Sequence, residues 1–300
     1  MSDSERLSRE AEFHDRWAAE IDPATALVDE SFTAVTALEN AYVLQEFGDV
    51  RGLRLLDYGC GAAEAGVYFA KQGAQVVAVD VSPGMLDAAK RLAAFHGVTI
   101  ETRLVTDHTI PGDPAEFDRV YGNGVLHHVD MTLAVPEIAR VAKPEGIGCF
   151  IEPLSYNPAI AIYRRLAEAV RTPDERPLRF RDIARFEPFF ATVSHREFWL
   201  TSLAIFGKFF FVDRAHPSRE RYWKKVITDG PVNAWWFRGL PEIDRKLLSN
   251  VPFLSAMCWN TVIRVGNRRA AHAGSFRPIQ RKETAEAQRS QRSEKIGGER

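Results

Sequence analysis

Two stretches of the chain carry residue types and spacings that can do chemistry. In LLDYGCGAAEAG, Asp57, Gly59 and Gly61 fall where an apolar strand gives way to a helix. Glycines at such a turn let the backbone approach a ligand with no β-carbon in the way. The first amides of the helix can also face anionic groups. A dinucleotide loop of the GxGxxG type would place its third glycine where Glu64 stands. A carboxylate there repels a pyrophosphate, whereas Asp57 at the entry of the turn suits a cationic amino group. A ligand with an ammonium, a carboxylate and a ribose, but no phosphate, meets both constraints. Asp80 ends the next strand, 21 residues after Gly59, where a carboxylate can accept hydrogen bonds from both hydroxyls of a ribose. The alternative, that Asp80 caps the following helix, is weakened by Ser82, a good N-cap with Pro83 at the first helical position.

The second stretch is GNGVLHHV. His127 and His128 follow an apolar run, and an imidazole titrating near pH 6.5 could serve as a general base. Bracing the start of the next helix is the competing role. Cys60 sits inside the glycine turn without an activating partner in sequence and reads as spacing rather than as a nucleophile. His14, His96, His195, His216 and His272 show no ligand spacing and read as incidental.

The elements that must position these residues alternate. Leu53 to Asp57 reads as a strand, Ala62 to Gln72 as a helix, Gln75 to Asp80 as a strand and Pro83 to Phe95 as a helix. Val98 to Val105 and Phe117 to Tyr121 continue as strands, a helix follows from Leu133 to Val141, and KPEG breaks it before the strand Ile147 to Glu152. This alternation implies an α/β fold with a parallel sheet covered on both faces. Ligands in such sheets bind beyond the carboxyl ends of the strands, where strand order reverses. Thr192 to Trp199 and Met257 to Val265 read as the last two strands, separated by 57 residues that a minimal sheet does not need.

The motifs LLDYGCG, VVAVDVSPGMLDAAK, LVTDHTI, FDRVYGNGVLHHV and EIARVAKPEGIGCFIEP occur in order between Gly52 and Pro153. In these the chain resembles the seven-stranded class I S-adenosylmethionine-dependent methyltransferases. The resemblance implies a doubly wound, mostly parallel seven-stranded sheet with N-terminal helices and a helical insert before the last strand. It implies S-adenosyl-L-methionine as cofactor and S-adenosyl-L-homocysteine as product. Asp57, Gly59, Cys60 and Gly61 would line the methionyl end, and Asp80 would hold the ribose. Val81 and Met85 would pack on the adenine, Asp107 would accept from its amino group with His108 alongside, and Asn123 and Gly124 would border the sulfonium. Ala63 departs from the pattern, where many members have a glycine. Methyl transfer is an in-line displacement that depends mainly on orientation, so His127 or His128 is needed as a base only for a hydroxyl or protonated amine acceptor. Glu152 and Tyr156 are candidates for the acceptor pocket, and Trp17 and Tyr42 for closing over the cofactor. Tyr121 reads as packing.

The resulting division is an N-terminal helical cap over 1–50, a cofactor-binding core over 51–200, an aromatic-rich helical insert over 201–256, a last core strand over 257–265 and a disordered tail over 266–300. That tail holds nine Lys/Arg against four Asp/Glu with little that is apolar. Half of the 32 aromatic residues, 16, fall between Phe186 and Trp259, either as a core for the insert or as the roof of an apolar acceptor pocket. A net charge of −1 argues against a general nucleic-acid binder. Three distant cysteines without a CxxC pair suggest neither a disulfide framework nor a zinc site, and fit a cytoplasmic protein. The longest apolar stretch, Phe198 to Val212, is 15 residues long and carries Lys208. A spanning helix needs about 20 apolar residues, so no transmembrane segment is expected, although peripheral membrane contact is compatible. The expected acceptor is a small or lipid-like molecule. The other readings are a dinucleotide-dependent oxidoreductase, disfavoured by Glu64, and a non-catalytic cofactor-binding protein of the same fold.

Overall fold

The computed structural model describes residues 3–167 and 175–270, with only the backbone for residues 3–8. Helices α1 (Asp3–Ala18), α2 (Glu30–Thr33) and α3 (Leu38–Phe47) precede the sheet. The first half then alternates β1 (Arg54–Tyr58), α4 (Glu64–Lys71), β2 (Gln75–Asp80), α5 (Pro83–Phe95) and β3 (Glu101–Leu104). The second half has β4 (Phe117–Asn123), α6 (Met131–Val141), β5 (Ala142–Pro153), α7 (Pro158–Leu166), α8 (Phe180–Ile183) and β6 (Phe190–Phe198). Four insert helices follow, α9 (Ala204–Phe211), α10 (Tyr222–Thr228), α11 (Gly230–Phe237) and α12 (Leu240–Asn250), before the chain re-enters the sheet as β7 (Asn260–Arg268).

The seven strands run in the order β3-β2-β1-β4-β5-β7-β6. All neighbours are parallel except β7, which is antiparallel to both β5 and β6. The order reverses between β1 and β4, which opens a crevice at the carboxyl ends of β1, β2 and β4. Because side chains alternate along a strand, Leu55 joins one core with Phe47, Phe69 and Val76, while Leu56 joins another with Phe117, Val120 and Ile138. Both faces of the central strands are thereby covered. Helix α5 begins where the sequence places it: Ser82 Oγ accepts from Met85 N at 3.0 Å, with Pro83 as its first residue.

Several strands differ from their expected limits: β3 covers Glu101–Leu104 rather than 98–105, and β1, β4 and β6 shift by one or two residues at an end. Pairing of β5 with β4 starts at Ala142 and resumes in a shifted register at Arg119–Ile147, so KPEG lies in an irregular strand entry. The last strand runs over 260–268 rather than 257–265. Pro252–Met257 forms a 3-10 helix, and Cys258 N still donates to Ser255 O at 3.2 Å, which delays strand entry. From residue 271 the expected tail lies outside the described residues.

The insert is joined to the main core. Ile205, Phe206, Phe209, Tyr222, Val226 and Phe237 belong to the same buried cluster as Leu55 and Phe69. Asp244 on α12 is buried and accepts from Thr201 N at 2.6 Å and Ser202 Oγ at 2.6 Å, tying this helix to the turn after β6. Much of the aromatic quarter is therefore core. Trp199, Trp223 and Trp259 also face the crevice, while Phe211 and Trp235 point to solvent, 79% and 84% exposed.

Candidate functional site

The crevice is a cavity of about 610 Å³. Its wall contains all the cofactor-binding and general-base candidates: Asp57, Gly59, Cys60 and Gly61 at and beyond the end of β1, Asp80, Val81 and Met85 at and beyond the end of β2, Asp107 and His108 after β3, and Asn123, Gly124, His127 and His128 at and beyond the end of β4. The glycine turn is required by space as well as by conformation. Gly59 has φ +67°, and a β-carbon on it would lie 2.4 Å from Val125 Cγ2. Ala63, at the start of α4, also adopts left-handed backbone with φ 59°.

Two carboxylates are fixed by backbone amides. Asp57 Oδ2 accepts from Gly66 N at 2.9 Å, in the first turn of α4. Burial pushes the Asp57 carboxyl up to about 7 against the opposing effect of that amide, and the nearby acids Glu64 and Asp80 push in the same direction. Asp80 accepts from Gly61 N through Oδ2 and from Ser82 N through Oδ1, each at 2.9 Å. Both its oxygens are thus anchored at the carboxyl end of β2. Burial raises its pKa, opposed by those two amides. Asp107 Oδ1 accepts from Thr109 N at 2.7 Å, which closes a small turn at the cavity edge. Cys60 is buried, which pushes its thiol well above the ordinary range, so its protonated form is favoured.

The turn after β4 is built on Glu152. Its Oε1 accepts from Val125 N at 3.0 Å and Leu126 N at 2.6 Å, and its Oε2 lies 2.7 Å from His127 Nδ1. Glu152 is fully buried and outside the cavity wall, contrary to the expectation that it lines an acceptor pocket. It is spent on satisfying amides that the turn leaves unpaired. Tyr156, also expected there, is instead 40% exposed and stacks on Phe180. Tyr42 likewise lies away from the cavity, against Phe198 and Arg196. Tyr121 is buried but does reach the cavity, donating to Asn40 Oδ1 at 2.8 Å.

Helix α1 forms the opposite wall with Glu10, Phe13, His14 and Trp17. Asp15 Oδ1 holds it to α5 by accepting from Ser82 Oγ at 2.5 Å and Gly84 N at 2.8 Å. Arg221 lies over the Trp17 ring at 4.0 Å, linking α1 to the insert. His14, which spacing alone made incidental, pairs with Glu10 at 3.0 Å inside the cavity wall. The missed signal was helical: Glu10, Phe13, His14 and Trp17 recur at intervals of three and four. A further polar group, invisible in sequence, unites three distant segments: Glu39 Oε1 accepts from Trp199 Nε1 and Asn260 Nδ2, both at 2.6 Å.

Comparisons with known proteins bear on the fold and its central core. Residues 56–150 match the family described as "Methyltransferase domain". A ubiquinone biosynthesis O-methyltransferase of Methylocella silvestris is 36% identical over 99 residues, which is 33% of this chain and 39% of that relative. The corresponding protein of Alkalilimnicola ehrlichii is 34% identical over 126 residues, 41% of this chain and 51% of the relative. The chain thus spans between two-fifths and about half the length of these curated relatives. Among solved structures, a geranyl diphosphate C-methyltransferase from Streptomyces coelicolor A3(2) superposes with a TM-score of 0.52 at 14% identity, over 77% of this chain and 76% of that one. Phosphoethanolamine N-methyltransferase 2 of Haemonchus contortus gives 0.51 at 17% identity, over 77% of this chain and 53% of that one. Residues 56–150, about a third of the chain, thus match a methyltransferase family, and the sheet order with its antiparallel last strand is the one that the resemblance to the class I S-adenosylmethionine-dependent methyltransferases implies.

Proposed function

We propose that this protein transfers a methyl group from S-adenosylmethionine to a small-molecule acceptor. The observation that carries the reading is the convergence of Asp57, the Gly59–Gly61 turn and the doubly anchored Asp80 on one cavity at the strand-order reversal. These groups fit the cofactor. Asp57 offers a carboxylate to the ammonium, the glycine turn admits the methionyl chain, and Asp80 faces the ribose hydroxyls. Val81 and Met85 supply apolar surface for the adenine, and Asp107 with His108 supplies polar groups at its edge. Asn123 and Gly124 border the reacting end. When bound, the cofactor supplies an activated methyl group. The chain contributes orientation, with reacting atoms held about 3–3.5 Å apart, and exclusion of water by α1 and the insert.

Glu64 lines the same cavity from the first turn of α4, a position unfavourable to a dinucleotide pyrophosphate. The aromatic residues Trp223 and Trp259 on the insert side provide an apolar surface for the acceptor, backed by the buried Trp199. Among the described residues no helix is long and apolar enough to cross a membrane. Three free and buried cysteines fit a reducing, cytoplasmic location.

Calorimetric titration with S-adenosylhomocysteine tests the site. Wild type should bind one equivalent, and Asp80→Ala should lose about 1.5–3 kcal/mol, the range for hydrogen bonds to a charged group. Equal affinity of the two proteins would remove the assignment. Release of S-adenosylhomocysteine in the presence of a small-molecule acceptor pool tests turnover; binding without any release would make this a non-catalytic member of the fold.

A further inference from the structure

His127, His128 and Glu175 bring one possible ligand atom each to within 4.8 Å of one another. All three face the cavity of the proposed methyl-transfer site. The two histidines come from the turn after β4, whereas Glu175 lies 47 residues further on. Arg176 N donates to His127 O at 3.0 Å, which docks the returning segment onto the turn. Arg164 holds Glu175 Oε2 at 3.0 Å, fixing that carboxylate at the cavity wall.

Each imidazole is oriented by its own carboxylate. His127 Nδ1 lies 2.7 Å from Glu152 Oε2, and His128 Nδ1 lies 3.0 Å from Glu10 Oε1. A carboxylate accepts only from an Nδ1 that carries the proton, so the lone pair of each neutral ring resides on Nε2. Carboxylate–histidine pairs of this kind set tautomer and ring angle at metal centres. The rings are close, with centroids 4.1 Å apart.

The geometry points to a divalent-cation site formed by His127, His128 and Glu175, with open coordination positions for an acceptor that chelates through two adjacent oxygens. Two imidazole nitrogens and one carboxylate suit Zn²⁺, Fe²⁺ or Co²⁺ better than Mg²⁺, which prefers an all-oxygen shell. The acceptor class rests on the methyl-transfer reading; the cation site does not. A cation there would lower the pKa of a coordinated hydroxyl. The acceptor O–H would give its proton to solvent and the oxygen would form the new C–O bond to the methyl carbon. The methyl–sulfur bond would break with its electron pair remaining on sulfur.

The test uses the full, untagged chain, stripped with chelator and titrated with Co²⁺ by visible absorption and with Zn²⁺ by calorimetry. Saturable one-to-one binding is expected, with d–d bands of a low-coordinate Co²⁺ centre. His128→Ala and Glu175→Gln should each weaken binding at least tenfold, and Glu10→Gln, which removes the carboxylate beside His128 Nδ1 but none of the three ligands, should weaken it less. His195→Ala, outside the cavity, should bind as wild type. Addition of 1,2-dihydroxybenzene should shift the Co²⁺ bands, whereas the 1,4-isomer should not. Circular dichroism and S-adenosylhomocysteine titration of each variant separate loss of the cation site from loss of fold or cofactor site. Absence of stoichiometric binding to wild type, or unchanged affinity in folded His128→Ala and Glu175→Gln, overturns the cation site. Binding of the ion with equal response to both dihydroxybenzenes overturns the chelating acceptor alone.

Discussion

Glu10 Oε1 lies 3.0 Å from His128 Nδ1, so the first helix is fastened by a hydrogen bond to the turn that follows β4. His14 contacts the same oxygen at 3.0 Å. Burial would raise the Glu10 carboxyl, but hydrogen bonds to His128 and His14 outweigh it and hold the group down at about 2. The folded pKa lies below the unfolded one, so the unfolded chain binds more protons through this window. The contribution is complete above about pH 4.5 and is lost as pH falls towards 2, amounting to about 2–3 kcal/mol. Wild type should therefore lose more stability than Glu10→Gln between pH 5 and 3 in urea unfolding. Parallel stability–pH curves for the two proteins would refute the linkage.

Asp57 predicts a pH dependence of the opposite sense. Its carboxyl is pushed up to about 7, by burial first and by Glu64 and Asp80 next. The raised folded pKa means that ionising this group costs stability as pH climbs from the unfolded value towards 7. An ammonium placed against Asp57 gains most from the ionised form, so cofactor binding must draw off the proton below pH 7. The affinity for S-adenosylhomocysteine should rise by up to about tenfold per pH unit below 7 and level off above it. Asp57→Asn should bind more weakly and with a flat profile between pH 5.5 and 8. A wild-type profile equally flat over that range would count against this role for Asp57.

What the sequence made legible follows from the range of the interactions. Ser82–Pro83 and the strand ending at Asp80 are local signals, and β2 and α5 fall where they place them. The cofactor candidates all lie within a few residues of a strand end, so the alternation of elements was enough to bring them to one cavity. Glu152 was misjudged because a strand-end position does not reveal direction: the carboxylate turns inward to satisfy the amides of 125–127. Glu39, Trp199 and Asn260 meet across separations of 160 and 221 residues, set by packing of α3 on the sheet rather than by any spacing in the chain. Glu175 reaches the histidines by the same kind of long-range closure, through the Arg176–His127 backbone bond.

Glu39 tests how far this long-range network sustains the fold. Its carboxyl is buried, which raises its pKa, against the lowering by Asn260, its own backbone amide and Trp199. Glu39→Ala leaves the Trp199 and Asn260 donors without their acceptor, at a cost of about 1–3 kcal/mol for each buried group left unsatisfied. Glu39→Gln retains a side-chain oxygen and should cost markedly less. Thermal unfolding of both variants should show Glu39→Ala well below Glu39→Gln. If the two melt together, the hydrogen bonds are not what the position requires.

The glycine turn offers a contrast between space and conformation. At Gly59 both oppose a side chain, because φ is +67° and the added carbon would overlap Val125 at 2.4 Å. Overpacking of this kind costs about 1–3 kcal/mol, and left-handed backbone adds about 1–2 kcal/mol. Any relief by moving Val125 also disturbs the turn that positions His127. Gly59→Ala should therefore be destabilised by more than 2 kcal/mol and lose cofactor affinity. Ala63 already bears a methyl group at φ 59° and is fully buried. Ala63→Gly removes about 1–2 kcal/mol of backbone strain, but forfeits about 0.8 kcal/mol of methyl burial and gives the unfolded chain about 0.4–1 kcal/mol of extra freedom. These effects nearly cancel, so its stability should stay within about 1 kcal/mol of wild type. Denaturant midpoints and S-adenosylhomocysteine titrations of the two variants should diverge sharply; comparable losses in both would mean that the Val125 contact is not what selects glycine at position 59.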